Sequence, residues 1–258
     1  MKSRVTPYLA GLIAAVGIIL GQQGCTAAPP EKAAEAQKKP SPEKQEERSW
    51  PFVKDDEPAA QELATKLTAK NYVLIFDGSG SMAEKGCSGN RPKIDVAKEA
   101  VTEWFGSVQG DANVGLVAFH QGGWTKLPLT PRKNANFANK LKALSPGGNT
   151  PLDNAMAEAY DMLTRQARSQ IGYGDYLVVV VTDGIATRPQ ELAQIVDKVL
   201  ASTPIVIHTI GFCIKDKHTL NQQGRTIYRA ADNPAELRKG LQEVLAEAEK
   251  FDAAKFSK

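Results

Sequence analysis

The run "YLVVVV" (residues 176–181) is apolar throughout. A strand with no polar face has to be covered on both sides, which is the condition of a strand inside a parallel sheet sandwiched by helices. Three more short runs, "YVLIF" (72–76), "VGLVAF" (114–119) and "IVIHTIG" (205–211), are also rich in β-branched and aliphatic residues and read as strands. Amphipathic patterns separate them at Ile94–Val108, Asn136–Leu144, Leu152–Ala167, Pro189–Ala201 and Pro234–Phe251; in the last, Leu237, Leu241 and Leu245 recur every four residues. Strands alternating with helices predict an α/β fold, a doubly wound, mostly parallel central sheet with helices on both faces. The segment "WTKLPL" (124–129) contains Pro128 and follows a tight "HQGG" turn. It suits one antiparallel edge strand.

This α/β pattern occupies residues 61–251, leaving a short charged tail at 252–258. Residues 1–25 have a basic start, an apolar run from Tyr8 to Leu20 and small polar residues up to Cys25. They read as a secretory signal rather than a membrane span. Gly24-Cys25 resembles the end of a bacterial lipoprotein signal, although Gln22 stands where that family usually has Leu. The resemblance implies lipidation of Cys25; cleavage near Ala27 or Ala28, or an uncleaved anchor, are the alternatives, and all three export the chain. Thr26 after Cys25 resembles lipoproteins sent to the outer membrane. Residues 26–60 are dominated by Pro, Ala, Glu, Lys and Gln and predict a disordered tether, in which Trp50 and Phe52 either dock on the domain or contact a partner. With 32 Lys and Arg against 29 Asp and Glu, nothing in the charge balance asks for nucleic acid.

The chemistry concentrates in "FDGSGSM" (76–82), directly after the first strand. Asp77, Ser79 and Ser81 lie two residues apart, so in an extended segment their side chains point the same way. Oxygen-only donors suit a hard cation, and two hydroxyls supply oxygen without adding negative charge. Downstream, Thr150 sits in "PGGNTP" and Asp183 ends the strand "VVVVTDG". Ligands of doubly wound folds bind beyond the carboxyl ends of the strands, where Asp77 and Asp183 both fall.

The pattern D-x-S-x-S, then a threonine in a G-G-x-T loop, then an aspartate after a later strand, resembles the metal ion-dependent adhesion site of the von Willebrand factor type A domain. The resemblance runs from about Asn71 to Phe251. It implies that Ser79, Ser81 and Thr150 ligate a metal directly, with Asp77 and Asp183 acting directly or through water. Mg²⁺ is the expected cation, with Mn²⁺ or Ca²⁺ as alternatives, and an acidic residue of a partner protein would complete its coordination. The expected function is then a metal-dependent adhesion module on the bacterial cell envelope, held to the membrane by its lipid. The alternative is a structural or assembly lipoprotein whose metal only stabilises the domain.

Enzyme readings fare worse. A Mg²⁺-dependent phosphohydrolase of the haloacid dehalogenase type would need a second aspartate as proton shuttle where this chain has Ser79, and no G-x-S-x-G nucleophile elbow is present. The chain is therefore expected not to be an enzyme. His208 lies within a strand and reads as core, while His218, in "KDKHTLNQQG", reads as an idle loop residue. His120 and Trp124, near the functional edge, are candidate partner contacts, against the plainer possibility that they only pack and solvate. In an exported chain Cys87 and Cys213 either bond to each other or remain two free thiols. The resembled fold would put one strand between theirs.

Overall fold

The computed structural model describes residues 50–51, 62–214 and 218–250. The expectations for the signal, for Cys25, for most of the tether and for the tail lie outside the described residues.

The elements follow in the order β1 (Lys70–Asp77), α1 (Lys93–Ser107), β2 (Asn113–His120), β3 (Gly123–Pro131), α2 (Phe137–Lys142), α3 (Leu152–Ser169), β4 (Asp175–Thr182), α4 (Pro189–Ser202), β5 (Val206–Phe212), β6 (Ile227–Ala231) and α5 (Pro234–Lys250). They build one six-stranded sheet in the order β3-β2-β1-β4-β5-β6. Every neighbouring pair is parallel except β2 with β3. The antiparallel edge strand is present, and its ladder slips between Val114 and Leu116, opposite Pro128, which has no N–H to contribute.

The central strands are buried on both faces because alternate residues enter two separate cores. Tyr72, Leu74 and Phe76 of β1 meet α1, α2 and α5 through Trp104, Phe137 and Leu241. Val73 and Ile75 meet α3 and α4 on the other side. This is the period of two that a pleated strand imposes, applied where neither face is wet. β6 was not among the expected strands; its residues, "IYRAA", are half-exposed or exposed except for Ala231. A parallel edge strand covered on one face lacks the continuous apolar run that marks the central ones.

At the start of the chain's described part, Trp50 docks on the domain. Its ring meets Tyr176 edge-on at 4.8 Å and its indole N–H donates to Thr164 Oγ1 at 3.1 Å.

Candidate metal centre

The strand order reverses at β1: the chain moves to β2 on one side and returns to β4 on the other. A crevice therefore opens beyond the carboxyl ends of β1 and β4. Phe76 pairs with Val181, so the next residues, Asp77 and Thr182, stand level at its floor.

Asp77 is fully buried. Its carboxylate accepts the backbone N–H of Ser79 at 2.8 Å and the hydroxyl of Thr182 at 2.5 Å. Burial pushes the Asp77 carboxyl up to about 6, against the lowering effect of hydrogen bonds from Ser79 and Thr182. Both of these partners are neutral, so the ionised carboxylate has no compensating positive charge among them.

Beyond Asp77 the chain does not stay extended, as the residue spacing had suggested. Residues Gly80–Ala83 form a 3-10 turn. Gly78 allows the turn to start against the neighbouring strand, since a Cβ there would lie 2.7 Å from the Phe119 carbonyl oxygen. The turn still brings the hydroxyls together: Ser79 Oγ lies 3.2 Å from Ser81 Oγ, and Ser81 Oγ donates to Asp183 Oδ1 at 2.7 Å.

Thr150 arrives from the other side on a loop stitched to the same turn. Gly80 N–H donates to Gly148 O at 3.1 Å and Gly147 N–H to Gly78 O at 2.8 Å. Thr150 and Thr187 exchange two bonds, N–H of Thr150 to Thr187 Oγ1 at 3.0 Å and N–H of Thr187 to Thr150 O at 2.9 Å. Arg188 pairs with the buried Asp153 and donates to Asn154 at 2.9 Å, fastening the start of α3 to the loop after β4. A Cβ placed on Gly184 would be 3.7 Å from both Ser81 Oγ and Thr150 Oγ1. The hydroxyls thus converge on one space beside Asp183.

The structure therefore gathers Asp77, Ser79, Ser81, Thr150 and Asp183 at one rim. Among the described residues no group of three or more His, Cys, Asp or Glu converges, so a cation here would rely on hydroxyl oxygens beside two carboxylates. That donor set fits a hard divalent ion, and the uncompensated Asp77 charge fits a cation of any kind.

Lys93 also belongs to this rim. Its ammonium donates to Asp183 Oδ2 at 2.9 Å and to Glu84 Oε2 at 3.0 Å. Burial alone would lower its pKa, but the hydrogen bonds and charges of Asp183 and Glu84 outweigh that and hold it above the ordinary lysine value. Sequence reasoning missed Lys93 and Thr182. A signal for Lys93 existed: it heads the stripe Ala97, Ala100 and Trp104, all buried on α1.

The remaining candidates separate. Cys87 and Cys213 form a disulfide with Cα atoms 5.8 Å apart, joining the loop after β1 to the end of β5 across β4. His120 closes the β2–β3 hairpin: its Nε2 lies 3.0 Å from Thr125 Oγ1, and its Nδ1 accepts the N–H of Gly122 at 3.1 Å. Trp124 is 42% exposed and leans edge-on against Phe119. His208 is buried in β5, as expected of a core residue, and burial pushes it down to about 4. His218 is not the idle loop residue expected. It is buried, its Nε2 bonds the Gly184 carbonyl at 3.0 Å, and its Nδ1 accepts the N–H of Leu220 at 3.0 Å, so it holds the turn that carries Asp183.

The von Willebrand factor type A domain family matches residues 72–185. The uncharacterized protein YwmD of Bacillus subtilis (strain 168) is 30% identical over 164 residues, covering 58% of this chain and 70% of YwmD. Among solved structures, the pilus adhesin SpaC of Lactobacillus rhamnosus GG matches with a TM-score of 0.56 at 15% identity, over 72% of this chain and 31% of SpaC. A von Willebrand factor type A protein of Catenulispora acidiphila matches at 0.54 and 18% identity, over 69% of this chain and 42% of its own. The vWF domain of the type V pili tip protein Mfa5 of Porphyromonas gingivalis matches at 0.53 and 12% identity, over 70% of this chain and 95% of that domain. This chain thus spans less than half the length of the first two structures, and at these identities the likeness is one of fold.

Proposed function

Because this chain belongs to the von Willebrand factor type A domain family, we propose that it is a divalent-cation-dependent protein-binding module rather than an enzyme, exported and tethered to a bacterial envelope. The observation that carries this reading is Asp77, a buried carboxylate with only neutral donors around it, facing converged hydroxyls at the crevice of the sheet. Ser79, Ser81 and Thr150 would hold the cation, Mg²⁺ by preference, with Asp77 and Asp183 balancing its charge. When bound, it supplies a positive, incompletely coordinated face to which a partner's carboxylate can bind. Asp77 orients the turn through the Ser79 N–H, and Asp183 orients the Ser81 hydroxyl. Ser79 offers a hydroxyl where a phosphohydrolase of the related α/β type needs a carboxylic acid, which favours binding over hydrolysis.

Two further features support an adhesive role at the envelope: the lipoprotein-like segment ending at Cys25, and the pilus adhesin and pilus tip protein among the similar structures. On this reading the lipid favours an outer-membrane location, and the half-exposed Trp124 is available to a partner beside the rim.

The test is the melting temperature of the purified full chain with millimolar Mg²⁺ and with chelator, for wild type and Asp77→Ala. Free metal at about ten times its dissociation constant adds about 1.4 kcal/mol, which raises the midpoint by about 3 to 6 °C for a domain of this size. The wild type should rise and Asp77→Ala should not. A folded wild type that does not respond would remove the metal from the proposal.

A further inference from the structure

Lys93 is the rim residue that metal binding does not by itself require. It is the first residue of α1 and only 6% exposed. Burial strips its ammonium of water, and the positive end of a helix repels it. The apolar stripe it heads would accept an aliphatic side chain instead. A residue that breaks local rules without a packing gain marks a functional demand.

We propose that Lys93 is a resident counter-charge that weakens the rim's hold on its divalent cation and strengthens capture of a partner's carboxylate. The inference rests on the metal-dependent binding reading above. Its basis is the placement of the ammonium 2.9 Å from Asp183 Oδ2, in the same pocket as the cation donors. With both carboxylates ionised, Asp77, Asp183 and Lys93 sum to one negative charge, and a divalent cation turns that into one net positive charge. Without Lys93 the same groups sum to two negative charges, and the loaded rim is neutral. Glu84, the second partner of Lys93, has a side chain 67% exposed, so solvent screens much of its charge. The chain has therefore built a rim that stays electropositive once loaded, at the expense of metal affinity.

The experiment compares the purified full chain as wild type, Lys93→Met and Lys93→Gln. Mn²⁺ binding is read from the electron paramagnetic resonance signal of the free ion. Acetate binding to the Mn²⁺-loaded protein is read from the fall in water-proton relaxation as inner-sphere water is displaced. Both neutral variants should bind Mn²⁺ at least about tenfold tighter and acetate about threefold weaker or more. The two shifts must have opposite signs. Unchanged or weaker Mn²⁺ binding in Lys93→Met, or acetate binding that strengthens with it, overturns the proposal. Lys93→Gln can still donate a hydrogen bond to Asp183: if it behaves as wild type, Lys93 only orients that carboxylate, and the counter-charge role is lost. Should Lys93→Met fail to fold, Lys93→Gln carries the same comparison. A folded wild type that binds no Mn²⁺ defeats the metal reading and this inference together, whereas wild-type binding that the variants leave unchanged defeats only the role of Lys93.

Discussion

Strand β1 carries a fully buried polar side chain near each end, Asn71 in its second position at one rim of the sheet and Asp77 in its last at the other. At the amino rim the buried groups are neutral amides. Asn71 Nδ2 donates to Gln170 Oε1 at 2.7 Å and to the carbonyls of Ala69 at 2.8 Å and Asp175 at 3.0 Å, and Asn71 Oδ1 accepts from Asn113 at 2.8 Å. At the carboxyl rim two buried carboxylates stand among neutral hydroxyls: Asp183 pairs with Lys93, whereas Asp77 accepts only from Ser79 and Thr182. A fully paired neutral network holds structure together and has nothing left to bind. A charged set left short of a counter-ion has a ligand still to find. The contrast between the rims is what points the proposed binding role to the carboxyl rim.

The largest effect should come from breaking the amino rim. Asn71→Leu strands the amides of Asn113 and Gln170 in the interior and should lower unfolding stability by about 3 to 5 kcal/mol in denaturant melts, equally with Mg²⁺ or chelator. A loss that Mg²⁺ repairs would mean that the two rims are not independent. Cys213→Ser removes the covalent brace of the carboxyl rim and should cost about 2 to 4 kcal/mol by the same measurement; dependence of the metal-induced shift on this bond would show that the brace shapes the site.

The third change should stabilise. Burial holds the Asp77 carboxyl at about 6 in the folded protein, above its ordinary value of 3.8. Its contribution is therefore complete below about 3.8 and lost as pH rises through about 6. In chelator, Asp77→Asn should match wild type near pH 4 and exceed it by up to about 3 kcal/mol at pH 7. Urea melts across that range would read it, and a wild type more stable than the variant at pH 7 would show that the charge is compensated after all. The smallest effect belongs to Thr164→Val, which removes the acceptor of the Trp50 indole and should cost about 1 kcal/mol, visible as faster proteolysis near Trp50 with no change in metal response.

Much of the fold was legible in the sequence because the central strands carry continuous apolar runs and the helices carry apolar stripes of helical period. That the residues of the candidate site would meet at one rim was legible through their placement, since Asp77 and Asp183 each end an apolar run. Lys93 was overlooked, because a charged residue at the head of a helix ordinarily faces water, although its place at the head of the stripe Ala97, Ala100 and Trp104 signals that it turns inward. Thr182 was hidden by the same run that revealed Asp183: at the end of "VVVVT" a β-branched hydroxyl reads as one more strand residue. β6 escaped because an edge strand has one face to bury. The amide network joins residues 42 and 99 positions apart, a distance over which sequence patterns carry no information about contact.

The polar ends of β1 have one more consequence. A strand that is apolar on both faces has no binary code for register, because sliding by one residue merely exchanges one oily layer for the other. Between Asn71 and Asp77 the residues are aliphatic or aromatic, so an alternation of polar and apolar side chains does not oppose such a slip. The amide at one end and the carboxylate at the other, about 20 Å apart along the strand, act as stops: either one carried a step inward would enter hydrocarbon without its partners. The residue that would balance a cation is also one of the two that tell the central strand where to sit.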